Sequence, residues 1–352
     1  SSPRKGTTYR DAGVDIGAGR RAVDLIRGKV SSTFTPEVVG GIGGFGGLFA
    51  PDISGIESPV LVSSTDGVGT KVLIAQKLGI HSTVGFDLVA HSANDVSTSG
   101  ARPLFFLDYI VIEKVVEETI DELVSGMVDA CREVGCALIG GEIAEHPKHL
   151  ESGSYDLAGF CVGIADRSKL ITGAGVKEGD VVIGIASSGL HCNGYTLARK
   201  VLLEDMGLKL DDRPMELTST LGEELLKPMF VYSGVAMDLQ KEAPVHGLAH
   251  ITGGDIQENL ARVIPDGLQA LIDSSSWEVP PIFGLIESLG RVQKDEMFRT
   301  FNMGVGMVVV TGESGANHAI DVIREHGHRA IEMGAIVPAS VDGKDGRAVV
   351  IS

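Results

Sequence analysis

The chain has 352 residues, 43% of them hydrophobic and 22% charged, and a formal net charge of -17. That length suggests about two domains, and the apolar content is enough to bury a core and to exclude a disordered chain. The acidic balance disfavours nucleic acid as a partner, because like charges remove the phosphate-contact term. It leaves room for a small anionic substrate held by local donors and a metal.

No apolar run reaches the roughly 18 residues of a membrane span. The start, Ser1-Ser2-Pro3-Arg4-Lys5, carries no apolar leader, so a cytoplasmic protein that does not engage a membrane is expected. Cys131, Cys136, Cys161 and Cys192 lack the paired spacing of a zinc site and read as reduced thiols. Glycine is the outlying count, 47 residues. It is clustered, which points to loops where backbone approaches something closely.

In chain order, Ala18, Ala22, Ile26 and Val30 predict an amphipathic helix over 17–30. The run 40–47 is too glycine-rich for regular structure. Residues 59–63 read as a short buried strand that leads through 64–71 into a helix ending near Leu78. A helix over 86–99 and a strand over 104–112 follow. The best-patterned helix covers 116–134, where Val116, Ile120, Leu123, Met127, Cys131 and Val134 form one stripe and Gly135 ends it. Strands are expected at 136–140 and 156–165. The polar segment 166–180 marks a boundary between a first domain, 1–170, and a second, 171–352. The second half restarts with a strand over 181–186, a glycine loop and a helix from about 194. Further strands are expected near 268–273, 305–311 and 346–351. Strands alternate with helices in both halves, so the fold class is α/β (α+β) with two domains.

Four stretches of the first half carry chemistry. Backbone N–H groups of the loop 40–47 can cradle phosphate, although a flexible hinge has the same composition. In Ser64-Thr65-Asp66-Gly67-Val68-Gly69-Thr70-Lys71, Asp66 at a strand end can hold Mg²⁺ and Lys71 can meet phosphate; an ordinary strand-to-helix turn is the structural alternative. Asp95 lies in an apolar helix pattern, where a carboxylate needs a cation or strong donors. Glu142 follows Gly140-Gly141 at a predicted strand end and is a candidate second metal ligand. The second half adds 187–195, with Ser188, His191, Cys192 and Asn193, and 250–255, with Thr252 and Asp255. Both are loops near predicted helix starts, where an anion is welcome.

These residues together resemble a known family. Asp95-x4-Gly100-Ala101-x-Pro103 is similar to the signature of the aminoimidazole ribonucleotide synthetase superfamily. Longer strings resemble its phosphoribosylformylglycinamidine cyclo-ligase family. They are Tyr9 to Ile16, Gly40 to Gly47, Ser64 to Lys71, Pro103 to Tyr109, Asp156 to Phe160, His191 to Tyr195 and Phe301 to Met307. No cysteine precedes Cys131, unlike selenophosphate synthetase, and the chain ends Val350-Ile351-Ser352 rather than in the reactive cysteine of the hydrogenase-maturation relatives. Departures from the family pattern stand at His91-Ser92, Ile143 and Asp255.

The resemblance implies a two-domain protomer whose N-terminal sheets pair into a barrel across a homodimer, the second domain closing each active site. It implies ATP-dependent cyclisation of formylglycinamidine ribonucleotide to aminoimidazole ribonucleotide, with ADP and phosphate released, in purine biosynthesis. His191, Asp95 and Lys71 would be catalytic. Gly43, Gly44, Gly46, Asp66, Gly67, Thr70, Lys71, Asp95 and Glu142 would hold ATP. Asp66, Asp95 and Glu142 would hold Mg²⁺, and Ser188, His191, Asn193 and Thr252 the substrate. A related small-molecule kinase and a hydrolase built on His191-Cys192 are the alternatives.

Overall fold

A computed structural model describes residues 6, 7, 13, 15–253, 255–339 and 348–352. The string Tyr9 to Val14, apart from Gly13, lies outside the described residues, as do Gly254 and the start of the expected last strand.

The first half runs α1 (Ile16–Ser31), β1 (Val38–Val39), β2 (Leu48–Phe49), β3 (Pro59–Gly67), α2 (Val72–Leu78), α3 (Ser82–Thr98), β4 (Arg102–Ile112), α4 (Glu117–Val134), β5 (Ala137–Glu145) and β6 (Tyr155–Asp166). Four strands form one sheet in the order β3-β6-β4-β5. β6 is antiparallel to both neighbours, and β4 and β5 are parallel. Side chains alternate across it. Phe106, Ile110, Leu157 and Cys161 are buried, while Leu61, Tyr109 and Phe160 are exposed on the opposite face. α3 and α4 cover the buried face. The α4 stripe holds from Ile120 to Cys131, but Val116 is the N-cap residue and stays exposed.

Two glycines set how closely α3 and α4 cross. A Cβ on Gly126 would lie 1.8 Å from the Ser82 carbonyl oxygen, and one on Gly85 would lie 2.0 Å from the Leu123 carbonyl oxygen. Backbone cannot yield as a side chain can. Gly126→Ala is therefore expected to destabilise the protein by about 3 kcal/mol, the upper end of ordinary overpacking, read from the urea midpoint. A midpoint within error of the parent would show that the helices can part there without cost.

The second half runs β7 (Val181–Ala186), α5 (Tyr195–Arg199), α6 (Leu221–Leu225), α7 (Ser233–Glu242), β8 (Val245–His250), α8 (Asp255–Ala261), β9 (Leu268–Ile272), α9 (Pro281–Gly290), α10 (Lys294–Thr300), β10 (Val305–Thr311), α11 (Ala316–Glu325), β11 (Ala330–Pro338) and β12 (Val349–Ile351). Its six-stranded sheet has the order β12-β9-β11-β7-β10-β8. β10 is buried along its whole length, which explains its unbroken apolar run. Met307 and Val309 pack with residues of α7 and α11 on one face, and Val308 and Val310 join the main core on the other.

α3 belongs to both halves. The Asp87 carboxylate accepts the Met229 N–H at 2.7 Å, and the Asn94 side chain accepts the Tyr232 N–H at 2.7 Å and donates to the Phe230 carbonyl at 2.9 Å. Segment 227–232 is thus strapped along the helix that backs the first sheet.

Candidate active site

Where the two sheets approach, β3, α3 and β8 bring four ionisable side chains together. His91 Nε2 lies 3.2 Å from the Asp66 carboxylate, and His91 Nδ1 lies 3.2 Å from the Gly67 carbonyl oxygen. His250 Nδ1 lies 2.8 Å from Asp95 Oδ1, and Ser64 Oγ donates to Asp95 Oδ2 at 2.9 Å. The two imidazoles meet edge to face with centroids 5.4 Å apart. Asp95 is thus the buried carboxylate its helix pattern suggested, and its donors are a histidine and a serine. Burial pushes its carboxyl up, but the His250 hydrogen bond and the nearby imidazoles more than offset this and hold it below the usual range. His91 moves the other way, lowered by burial and then by His250.

Asp66 keeps 43% of its side chain exposed, so it can offer oxygen to a ligand. Gly67 beside it must be glycine, since a Cβ would lie 2.9 Å from the Leu157 carbonyl oxygen.

The loop after β7 is fixed from beneath. Asn302 Nδ2 donates to the Gly189 carbonyl, and Ser187 Oγ bonds the same carbonyl and Asn302 Oδ1. His191 takes a positive φ of 58° and is almost wholly buried. Its Nε2 accepts the Ser188 N–H at 3.2 Å, which places the proton of the neutral ring on Nδ1. Burial, then His250 and Lys71, hold its pKa well below the ordinary histidine value. His191 is therefore a neutral hydrogen-bond donor whose Nδ1 has no partner among the described residues. Cys192 packs its sulfur 4.0 Å from that of Met229, and burial raises its thiol well above the ordinary value. A thiol so placed, beside a histidine whose Nε2 is occupied, gives the hydrolase alternative no nucleophile.

Asn193, Cys192, Thr70, Gly69, Lys200 and Thr300 line a cavity of about 570 Å³ at the mouth of this loop. The hydroxyls of Thr70 and Thr196 lie 3.1 Å apart across it. Ser188 Oγ donates to the Pro228 carbonyl, and Thr252 Oγ1 faces Asn259 Oδ1 at 3.4 Å. Asp255 adopts a φ of 65°, a conformation that favours glycine, and caps the Glu258 N–H at 3.0 Å. Its carboxylate turns into its own helix, so this departure from the family pattern is used locally.

Two expectations change. Lys71 does not face a phosphate. Its ammonium is fully buried, 2.6 Å from the Asp87 carboxylate and 2.7 Å from the Lys227 carbonyl oxygen. Burial pushes its pKa down, and the Asp87 charge, joined by Tyr195, Cys192 and the Asp87 hydrogen bond, more than offsets this and holds it above the ordinary lysine value. Glu142 does not join Asp66 and Asp95 within one chain. β5 continues past Gly140-Gly141, because it pairs with β4 in the register Asp108 to Gly141 and Tyr109 to Glu142. Asp66 pairs with Gly159, which pairs with Asp108, so Asp66 and Glu142 lie at opposite edges of the sheet, three strand spacings or roughly 14 Å apart. Among the described residues, no three histidine, cysteine, aspartate or glutamate side chains are arranged to hold a metal ion.

Glu142 instead borders a second cavity, of about 480 Å³, between α1 and the β4–β5 edge. Burial, with Glu142 adding its charge, pushes the Asp108 carboxyl there up to about 7. The glycine run 40–47 stands near it, between the short strands β1 and β2. Gly43 and Gly46 have open space around them, and Gly44 has only the Gly46 backbone nearby. Arg27 Nη1 holds the Ile42 carbonyl at 2.9 Å, and Phe45 at the tip is fully exposed.

Comparison with known proteins accounts for this arrangement. Residues 54–165 match the family model "AIR synthase related protein, N-terminal domain", and residues 177–344 match its C-terminal domain. A phosphoribosylformylglycinamidine cyclo-ligase of Alkaliphilus oremlandii is 47% identical over 330 residues, 94% of this chain and 97% of that protein. The enzyme of the same name from Myxococcus xanthus is 49% identical over 331 residues, covering 94% and 96%. The chain belongs to the phosphoribosylformylglycinamidine cyclo-ligase family. Among solved structures, thiamine-monophosphate kinase of Stenotrophomonas maltophilia superposes with a TM-score of 0.65 at 18% identity, covering 94% of this chain and 96% of its own. The hydrogenase maturation protein HypE of E. coli gives 0.63 at 20%, covering 93% and 92%. At such identities these two show the shared two-domain α/β fold. No helix among the described residues is long and apolar enough to cross a membrane.

For a cyclo-ligase, the pairing of His250 with Asp95 is the feature the sequence concealed. The two are 155 residues apart, and no local spacing links them. A histidine at the end of a buried strand, just before a glycine loop, was the available signal. His91 was visible only as a departure from the family pattern.

Proposed function

We propose that this chain closes the imidazole ring of formylglycinamidine ribonucleotide at the expense of ATP, in the cleft between its two domains. One observation beyond family membership supports this most: a buried acid–histidine pair, Asp95–His250, lies beside an exposed carboxylate, Asp66, and beneath the loop that carries His191. An amide oxygen leaves poorly, so ATP phosphorylates it to an imidate phosphate and ADP departs. A nitrogen of the same substrate then attacks that carbon, the ring closes, phosphate is expelled and one proton is lost. Having both reacting groups in one molecule supplies the proximity.

His250 is the group to take that proton. Its Nδ1–H is held by the Asp95 carboxylate, and its buried Nε2 has no partner among the described residues. Asp95 is then a positioning residue. His191, a neutral donor, suits a developing negative oxygen. Ser188, Asn193 and Thr252 surround the same loops and are kept as substrate contacts.

Asp66 fits Mg²⁺ by chemistry: its carboxylate is 43% exposed, and its two oxygens, one on the Gly67 N–H and one 3.2 Å from His91 Nε2, keep lone pairs for an ion that usually needs only one or two protein carboxylates beside phosphate. Asp95 is the less exposed of the two and holds His250 and Ser64 on its oxygens, so its first part here is to position His250, and it stands behind Asp66 as a candidate ligand. When bound, Mg²⁺ would neutralise charge on the transferring phosphoryl group. Glu142 can reach the same nucleotide only from a second copy of the chain. A homodimer built on the open face of the first sheet, where Leu61, Tyr109 and Phe160 are exposed, would supply that copy and cover an apolar surface. The loop 40–47, with Gly43, Gly44 and Gly46, is assigned to the phosphates.

The test is the product spectrum. The protein with ATP, Mg²⁺ and formylglycinamidine ribonucleotide is expected to yield aminoimidazole ribonucleotide and ADP in equal amounts. Cys192→Ser should keep most of the rate, and His191→Ala should lose at least about tenfold, or 1.4 kcal/mol. ADP formation without ring closure would favour a kinase.

A further inference from the structure

Two histidines on different segments have to be set against each other in the cleft, His191 on the loop after β7 and His250 at the end of β8. Gly306 adjoins both. It lies in β10, which runs between β7 and β8. The pairing of β10 with β7 slips there by one residue: Val305 faces Ala186 and Met307 faces Ile185, which leaves Gly306 as a β-bulge. The Gly306 carbonyl accepts the Ile251 N–H at 2.9 Å, one residue after His250. A Cβ on Gly306 would come 2.6 Å from His191 Cε1 and 2.0 Å from Tyr232 Oη. The bare Cα is therefore a surface on which the His191 ring and the Tyr232 hydroxyl rest. Tyr232 is fully buried, and its hydroxyl donates to the Ala186 carbonyl at 2.8 Å, at the end of the strand that leads into the His191 loop. Its backbone N–H is held by Asn94, next to Asp95 in α3. Its ring centroid lies 6.1 Å from that of His191 and 6.4 Å from that of His250. His191 needs such support. At a φ of 58° it occupies a region that favours glycine, and its ring makes one hydrogen bond among the described residues, to the Ser188 N–H.

We propose that the Gly306 bulge, with the Tyr232 hydroxyl against it, is the positioning element that fixes His191 relative to His250 for ring closure. Gly306 has no side chain and Tyr232 is fully buried, so neither meets the substrate through a side chain. They act by where they let the imidazoles stand. A donor aimed at developing charge loses much of its effect when it moves by about 1 Å. The bulge bears on both histidines at once. Its carbonyl ties down the strand end that carries His250, and its missing Cβ sets the depth at which the His191 ring lies. A methyl group there would push that ring, and with it the unpartnered Nδ1–H, without removing a backbone hydrogen bond. This inference rests on the roles given above to His191 and His250 in ring closure and adds the residues that hold them in place.

The experiment is a double-mutant cycle on cyclisation kinetics, Gly306→Ala with His191→Ala, each protein assayed with ATP, Mg²⁺ and formylglycinamidine ribonucleotide and checked by thermal melt. In the parent, Gly306→Ala should lower kcat at least about tenfold and leave the KM for ATP within about threefold. In the His191→Ala background the same substitution should cost less than about twofold, because the ring it displaces is gone. Tyr232→Phe gives a second cycle and decides the matter if Gly306→Ala does not fold. It is nearly isosteric and frees the Ala186 carbonyl, so it should lower kcat about three- to tenfold in the parent and less than about twofold without His191. A folded Gly306→Ala with the parent kcat overturns the proposal. So do losses that multiply with that of His191→Ala, since a merely structural defect would act whether or not the ring is present. A parent protein that closes no ring refutes the cyclo-ligase reading itself, whereas a parent that cyclises while both cycles are additive refutes the positioning alone.

Discussion

Lys71→Met is expected to cost about 3–5 kcal/mol of stability, because it strands the Asp87 carboxylate in a fully buried site without its counter-charge. Both side chains of the pair are fully buried, and Asp87 is also tied to the Met229 N–H. Replacing both residues, Lys71→Met with Asp87→Leu, should recover much of that loss, since an apolar pair of similar volume carries no desolvation penalty. Urea unfolding of the three proteins gives the comparison. If Lys71→Met unfolds at the parent midpoint yet loses affinity for ATP, the ammonium turns outward during turnover and its assignment to phosphate returns.

Asp95→Asn is expected to lower the cyclisation rate at least a hundredfold, about 2.7 kcal/mol of transition-state stabilisation. The amide can turn its NH₂ to His250 Nδ1, which moves the ring proton to Nε2 and removes the base. Because the substitution is nearly isosteric, the melting temperature should change little, and the KM for ATP should stay within about threefold. The informative readout is the split between kcat, which should fall, and the KM values, which should hold. A rate within threefold of the parent would take His250 out of the proton transfer.

The sequence was most legible where one periodicity rules. The stripe Ile120, Leu123, Met127 and Cys131 places α4 almost to the residue, and the apolar run 305–311 places β10. It misled at Gly140-Gly141, where two glycines read as the end of a strand. They are inside one, because Gly141 makes room for the Asp108 carboxyl of the neighbouring strand. Lys71 misled for a related reason. A lysine after a glycine turn suggests phosphate, and nothing local shows that α3 places Asp87 beneath it. The candidate site divides in the same way. Asp66, Asp95 and His191 could be named from motifs, but His250 joins them only through the packing of β8 against α3. Asp108 is an unremarked strand residue until the register of β5 is known.

The strap at 227–232 has a bearing on how the molecule can work. Its ties to Lys71, Asp87 and Asn94 lie under the cleft, at the place where a hinge between the two halves would have to open. Swinging the halves apart would leave buried polar groups unpaired, among them an ion pair. Substrate must therefore enter a cleft whose floor does not move. The part left to open and shut is the glycine loop with its exposed Phe45, since the turn around His191 is itself pinned by Asn302 and Ser187. Heat should therefore melt the two halves as a single unit.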